Sequence, residues 1–359
     1  MPNNLLTPDT TSIDQEDHEG ATADPPASTL PAAVQPPRPS RAPRALAALR
    51  AGLRPQRLFR SFALPMFGIA CFLGAWAILA PQVNTSLGTL PGPGAVASAG
   101  GDLYHEWQAS RTAEATFDKA QDVRNAALRA QGDSAKVQHF SYTGPPTFID
   151  QVWTSLRTVG LGFLLASLVA IPLGLLSGLS RAFHAAINPL VQIMKPISPL
   201  AWLPIVTMVI SAMITSTDPV LPKSFVISAL VVALCSLWPT LINTHVGTTS
   251  IDPDLLNVAK VLRLTQLTKL RKIVLPSALP YIFTGLRLSL GVGWMVLIAA
   301  EMLAQNPGLG KFVWDEFQSG SSNSLARIMF AVVVIGVIGF LLDRAMSSLQ
   351  QAISRNRVA

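Results

Sequence analysis

Residues 158–179 read TVGLGFLLASLVAIPLGLLSGL, a run from Thr158 to Leu179 without one charged side chain. A helix advances about 1.5 Å per residue, so crossing a hydrocarbon layer roughly 30 Å thick takes about 20 apolar residues. The run therefore predicts a membrane-spanning helix, and its neighbours repeat the pattern. Ala63 to Ala80, Pro196 to Thr217 and Ser224 to Ile251 are also uncharged. Thr284 to Leu303 carries Arg287 and Glu301 near its ends, while Ile328 to Leu342 is uncharged but short. Pro196, Pro199 and Pro204 interrupt one block, which reads as a bent or broken crossing from about Ile187 to Ile214. The expected fold is all-α: an integral membrane protein with six transmembrane helices.

Composition agrees. Only 13% of the 359 residues are charged and 50% are hydrophobic, against roughly 25% charged in soluble domains, which argues against a water-soluble enzyme. Cys71 and Cys235 lie far apart in apolar stretches, and the five histidines are scattered without ligand spacing, so neither a disulfide framework nor a metal site is expected. No Ser-His-Asp grouping with a nucleophile motif is present, and no catalytic residue is assigned.

Orientation follows from the basic residues, which collect on the cytoplasmic side. Arg38, Arg41, Arg44, Arg50, Arg54, Arg57 and Arg60 precede the first crossing with no acid among them, which puts the N-terminus inside. Six crossings return the C-terminus to the cytoplasm. The chain then divides into a disordered cytoplasmic tail (1–60), a first transmembrane helix (61–81), an external segment (82–151), a membrane core (152–345) with a cytoplasmic loop (243–283), and a C-terminal tail (346–359). Within the external segment Pro91, Gly92, Pro93 and Gly94 are read as breaking structure, and Asp102 to Val137 suits a helix with either a solvated face or a docking surface.

The cytoplasmic loop is the most informative stretch, IDPDLLNVAKVLRLTQLTKLRKIVLPSALP from Ile251 to Pro280. Asp252, Pro253 and Asp254 mark a helix start: a capping carboxylate, a proline at the first helical position and an acid at the positive end of the dipole. Leu255, Val258, Ala259 and Leu262 share one face, with Asn257, Lys260 and Arg263 off it. A second short helix is expected from Gln266 to Val274, ended by Leu275 and Pro276. Read from composition, Lys260, Arg263, Lys269, Arg271 and Lys272 could simply hold anionic lipid head groups.

The spacing adds to this. The loop resembles the signature of the membrane subunits of binding-protein-dependent ABC importers, which reads EAA, three residues, Gly, nine residues, Ile, one residue, Leu-Pro. Counting back from Ile273, Leu275 and Pro276 puts Asn257, Val258 and Ala259 at the EAA positions and Arg263 at that of Gly, a departure, because Arg tolerates positive φ far less well. LWPTLINT at Leu237 to Thr244, DLLNVAKVLRL at Asp254 to Leu264, LPYIFTGLRL at Leu279 to Leu288, MKPISPLAWLPI at Met194 to Ile205 and VLIAAEML at Val296 to Leu303 are similar to the nitrate, sulfonate and taurine permeases, most of all to nitrate permeases. The resemblance implies a type I ABC importer transmembrane domain in the bacterial inner membrane, with Asn257 to Leu264 as a coupling helix seated on an ATPase subunit. It further implies a second permease copy, two cytoplasmic ATPase subunits that use ATP and Mg, an external substrate-binding protein, and nitrate, nitrite or cyanate as cargo. Aliphatic sulfonates or taurine are the alternative cargo, and an ATPase-independent secondary transporter the alternative class. No Walker A sequence occurs in this chain, since Gly310 and Lys311 are followed by Phe312, so no cofactor is expected in it and ATP hydrolysis is expected elsewhere.

Ionisable groups inside crossings are costly and often functional. Lys195 and Glu301 are therefore substrate-path candidates, as is Arg287, which could instead extend its head to the interface. Trp202 and Trp294 line the path or anchor at the membrane surface. Gly174 and Gly178 form a small-residue step that serves either packing within one subunit or a dimer seam.

Overall fold

The computed structural model describes residues 55–355 apart from 86–87, 133–135, 216–220 and 322. The expected tail at 1–60 therefore lies almost wholly outside the described residues, as does the end of the C-terminal one. The chain divides between Phe67 and Gly68 into two units. In the first, the described residues form the start of helix α1 (Pro55–Leu79), with Leu64, Met66 and Phe67 exposed.

The second unit continues α1 into a 3-10 turn at Ala80–Gln82 and a two-residue hairpin, β1 (Asn84–Thr85) against β2 (Gly88–Thr89). The remaining helices are α2 (Pro93–Ala130), α3 (Phe148–Leu179), α4 (Arg181–Met194), α5 (Pro199–Met213), α6 (Lys223–Thr249), α7 (Pro253–Val261), α8 (Gln266–Lys269), α9 (Leu275–Ala304), α10 (Leu309–Ser319) and α11 (Ser324–Arg355). Among the described residues five stretches are long and apolar enough to cross a membrane, and α4 with α5 makes a sixth if the pair, bent by 103°, is one span. The bend falls at Lys195 to Ser198, where Ser198 caps α5 and Pro199 occupies its first turn. This is the all-α, multi-span architecture that the apolar blocks predict.

Helix α6 lies between α3 and α9 and packs against both. Small residues make the approach close. A Cβ on Gly174 would lie 2.6 Å from Thr244 Cβ, and one on Gly178 2.4 Å from Thr248 Cβ. The step on α3 is thus used inside one subunit, which answers the alternative of a dimer seam. The apolar core joins Val159 of α3, Val231 and Val232 of α6, Leu297 of α9, Leu309 of α10 and Ala331 of α11.

Three expectations need correction. Pro93 does not break structure but opens α2, with Gly92 as its cap, because a proline in the first turn forfeits no helical bond; α2 ends at Ala130, not Val137. Leu275 and Pro276 do not end a helix, since α8 passes through a π turn at Leu270–Val274 directly into α9. The wider turn accommodates the missing N–H and the ring of Pro276 without a break. Finally, α11 extends well beyond Ile328 to Leu342 at both ends, and it carries two ion pairs there: Arg327 with Glu106, and Asp343 with Arg287.

Candidate functional site

Helix α7 is fixed at both ends by its own sequence. Asp252 Oδ1 accepts the Asp254 amide at 2.9 Å, with Pro253 in the first turn. At the other end Arg263 N donates to Lys260 O and Leu264 N to Ala259 O, both at 3.0 Å, the two bonds of a Schellman motif. Arg263 takes φ +48 there, so the arginine adopts the left-handed conformation that glycine supplies more easily. The departure from the resembled signature leaves the turn intact.

The surface of α7 is unusual for a polar loop. Leu255, Val258 and Leu262 are 46%, 52% and 63% exposed, and Val261 81%, whereas Ala259 is 2% exposed. The expected common face is therefore split: Ala259 turns inward and its apolar neighbours turn outward. Asn257, Lys260 and Arg263 are exposed too, and Leu264, Ile273, Leu275 and Pro276 are half-buried. The helix rests on Ala259 and offers an apolar strip edged by bases.

The five path candidates do not converge. Lys195 stands exposed at the elbow between α4 and α5, with no ionic partner among the described residues. Trp202, on α5, has a buried Nε1 with no hydrogen-bond partner among the described residues. Arg287 grips Asp343 with Nε at 2.5 Å and NH2 at 2.7 Å rather than reaching for the interface. Two turns along α9, Trp294 Nε1 donates to the Ile335 carbonyl at 3.0 Å. Both thus fasten α9 to α11.

Glu301 is fully buried and finds no base among the described residues. Its carboxylate accepts from Ser155 Oγ at 2.9 and 2.8 Å, from the Gly310 amide at 3.1 Å and from Asn306 Nδ2 at 3.4 Å. Ser155 Oγ in turn accepts the Leu309 amide at 2.8 Å. A carboxylate under the first turn of α10 suits the helix dipole and satisfies the free amides there. Sequence reading passed over the partners Ser155, Asn306 and Asp343, and with them the stacked rings of His184 and His245, whose Nδ1 atoms lie 2.9 and 3.1 Å from Ser177 Oγ. Among the described residues no three metal-ligating side chains come together.

The described residues form a multi-span helical protein whose spans flank a short, apolar-edged helix, and the family match gives its class, a membrane transport subunit. The chain is a member of the binding-protein-dependent transport system inner membrane component family, whose profile matches residues 170–355. Over 207 residues it is 41% identical to the bicarbonate transport system permease protein CmpB of Synechococcus elongatus, covering 57% of this chain and 69% of that one. Over 204 residues it is 37% identical to the nitrate import permease protein NrtB of Synechocystis sp., covering 56% and 69%. A chain of the inward-facing MetNI methionine ABC transporter overlays with a TM-score of 0.49 at 16% identity, over 57% of this chain and 95% of that one. The protein is an ABC importer permease of the nitrate and bicarbonate branch, a multi-pass membrane protein.

Proposed function

We propose that the protein forms the path for a small planar oxyanion, nitrate in the first instance, and moves it inward by alternating access. The observation that carries this reading is α7: an apolar strip exposed on a short helix that is locked between two spans. A rigid rod of this kind passes a displacement to the helices on either side of it. Two ATPase subunits, using ATP and Mg, would grip α7 from the cytoplasm, with both chain termini on the same side. A second copy of the chain and an external binding protein would complete the importer. Lys195 and Trp202, at the elbow of α4 and α5, are the path residues best supported, because among the described residues Lys195 has no ionic partner and Trp202 Nε1 no hydrogen-bond partner.

Bicarbonate is the second reading, favoured by the 41% identity to CmpB. Nitrate and bicarbonate share a planar three-oxygen shape and a single charge, so one lining could pass either. Purified importer in vesicles, supplied with its ATPase subunits and binding protein, should accumulate labelled nitrate only with ATP inside the partner compartment. Accumulation of bicarbonate but not nitrate would replace the first reading with the second, and taurine uptake alone would overturn both.

A further inference from the structure

Helix α6 contains Pro239, which has no N–H to donate and whose ring crowds the carbonyl four residues earlier. Immediately beyond it, a side chain from another helix bonds to the helical ladder. Ser289 of α9 sets its Oγ 2.5 Å from the Ser236 carbonyl oxygen, 3.1 Å from the Thr240 amide nitrogen and 2.7 Å from Thr240 Oγ1. Ser236 O and Thr240 N are the acceptor and donor that close one regular helical turn. A hydroxyl bonded to both members of such a pair, beside a proline, competes with their own bond, and insertion at such a place is a recognised cause of helix bending.

The surroundings restrict this hydroxyl to few partners. Ser236, Thr240 and Ser289 are all 0% exposed. One turn before Ser289, Gly285 lets the two backbones touch: a Cβ there would fall 2.9 Å from Thr240 Cα and 3.1 Å from Pro239 O. Below this point α6 runs to Thr249 and reaches the Asp252 cap of α7 within three residues, while α9 leads back through the π turn to the far side of the same loop. The two spans that flank α7 are thus joined by hydroxyl hydrogen bonds at the proline of one of them.

We propose that Ser289 is a positioning residue for transport, a latch that bridges the α6 turn at Pro239 and lets go when α7 moves. The proposal rests on the reading of α7 as the coupling helix. In the latched state Ser289 serves both Ser236 and Thr240. In the released state Thr240 N–H closes on the Ser236 carbonyl, and Ser289 bonds back to the Gly285 carbonyl of its own helix, as serines within helices do. The Thr240 hydroxyl, which bonds Ser289 in the latched state, turns back to the Ser236 carbonyl of its own helix in the released one, so each state keeps these groups bonded and a displacement of α7 can select between them.

The test uses the complete importer in vesicles. Ser289→Ala removes the bridge and leaves the α6 turn free to close. The expected result is an assembled complex with basal ATP hydrolysis near that of the wild type and anion moved per ATP reduced by about fivefold or more. Ser289→Thr, which retains the hydroxyl, should recover most of the loss. Normal transport per ATP in the alanine variant overturns the latch, as does a threonine variant no better than alanine. Should the alanine variant fail to assemble, amide exchange at Thr240 in the wild-type complex decides: a change of about tenfold between the nucleotide-free and ATP-bound forms supports the latch, and equal rates overturn it. Wild-type uptake that persists without ATPase subunits would overturn the reading of α7 itself, an outcome separable from failure of the latch.

Discussion

Ser155 and Glu301, 146 residues apart, form a fully buried pair in which one hydroxyl lies within 2.9 Å of both carboxylate oxygens. The same hydroxyl receives the Leu309 amide, so three helices, α3, α9 and α10, meet on two side chains. Every partner of the carboxylate is a donor. Glu301→Gln turns one oxygen into a donor facing donors, and should cost about 1–3 kcal/mol of stability. Ser155→Ala should cost a similar amount, since it leaves the Leu309 amide unpaired. Because the two share one network, the double variant should be less destabilised than the sum by about 1 kcal/mol. Thermal unfolding of the four proteins in one detergent provides the check, and simple additivity would break the linkage.

The turn above Glu301 has no room for side chains. A Cβ on Gly308 would lie 2.1 Å from Glu301 Oε1, and one on Gly310 2.1 Å from the Ile298 carbonyl oxygen. A side-chain carboxylate can shift, whereas a backbone carbonyl within α9 cannot do so without distorting the helix. Both alanine substitutions should destabilise by about 1–3 kcal/mol, with Gly310→Ala the worse of the two. Melting temperatures in the reverse order would count against this account.

Arg287 and Asp343 neutralise one another across α9 and α11. Removing either partner leaves a lone charge within a span, which membranes tolerate poorly. Arg287→Ala and Asp343→Ala should each lower the amount of protein recovered from membranes, while the exchanged pair, Arg287→Asp with Asp343→Arg, should restore it. Recovery of the single variants at the wild-type level would show that the pair is dispensable.

On α7 the exposed and buried positions should behave differently. Val258→Asp places a charge on the outward strip and should abolish co-purification of the ATPase subunits without altering thermal stability. Ala259→Asp instead buries a carboxylate beneath the helix, at a cost of several kcal/mol, and should lower the unfolding temperature. If the two variants lose partner binding and stability alike, the division of this helix into outer and inner faces is mistaken.

Arg263 holds φ +48, a conformation costing roughly 1–2 kcal/mol for a residue with a Cβ. Arg263→Gly should therefore raise stability by up to about 1 kcal/mol, after the loss of unfolded-state entropy. A lower melting temperature would mean that the guanidinium contributes more than its backbone strain costs.

Much of the chain was readable from its residues in order. The blocks at 63–80, 158–179 and 224–251 appear as helices that end within two residues of the expected limits, although the first two begin well upstream, at Pro55 and Phe148, and Asp252-Pro253 opens α7 as its chemistry dictates. Helix boundaries were less legible where a proline stands near one. Pro93 and Pro276 were read as stops, yet one opens a helix and the other follows a π turn, because a proline's effect depends on which carbonyl lies behind it. The face of α7 was misjudged for a related reason: periodicity groups Ala259 with Val258, but only packing decides which of two adjacent residues is covered.

Hydropathy is a sum over neighbours along the chain, and the length that must be spanned belongs to the bilayer, so the sequence by itself determined where the apolar spans lie. Charge and hydroxyl partnerships follow another rule. Glu301 with Ser155, Arg287 with Asp343 and Ser289 with Thr240 join residues 146, 56 and 49 apart, and no local pattern encodes such separations. Only the tertiary structure, by bringing α9 against α3, α6 and α11, decided that these polar groups hold the helices to one another.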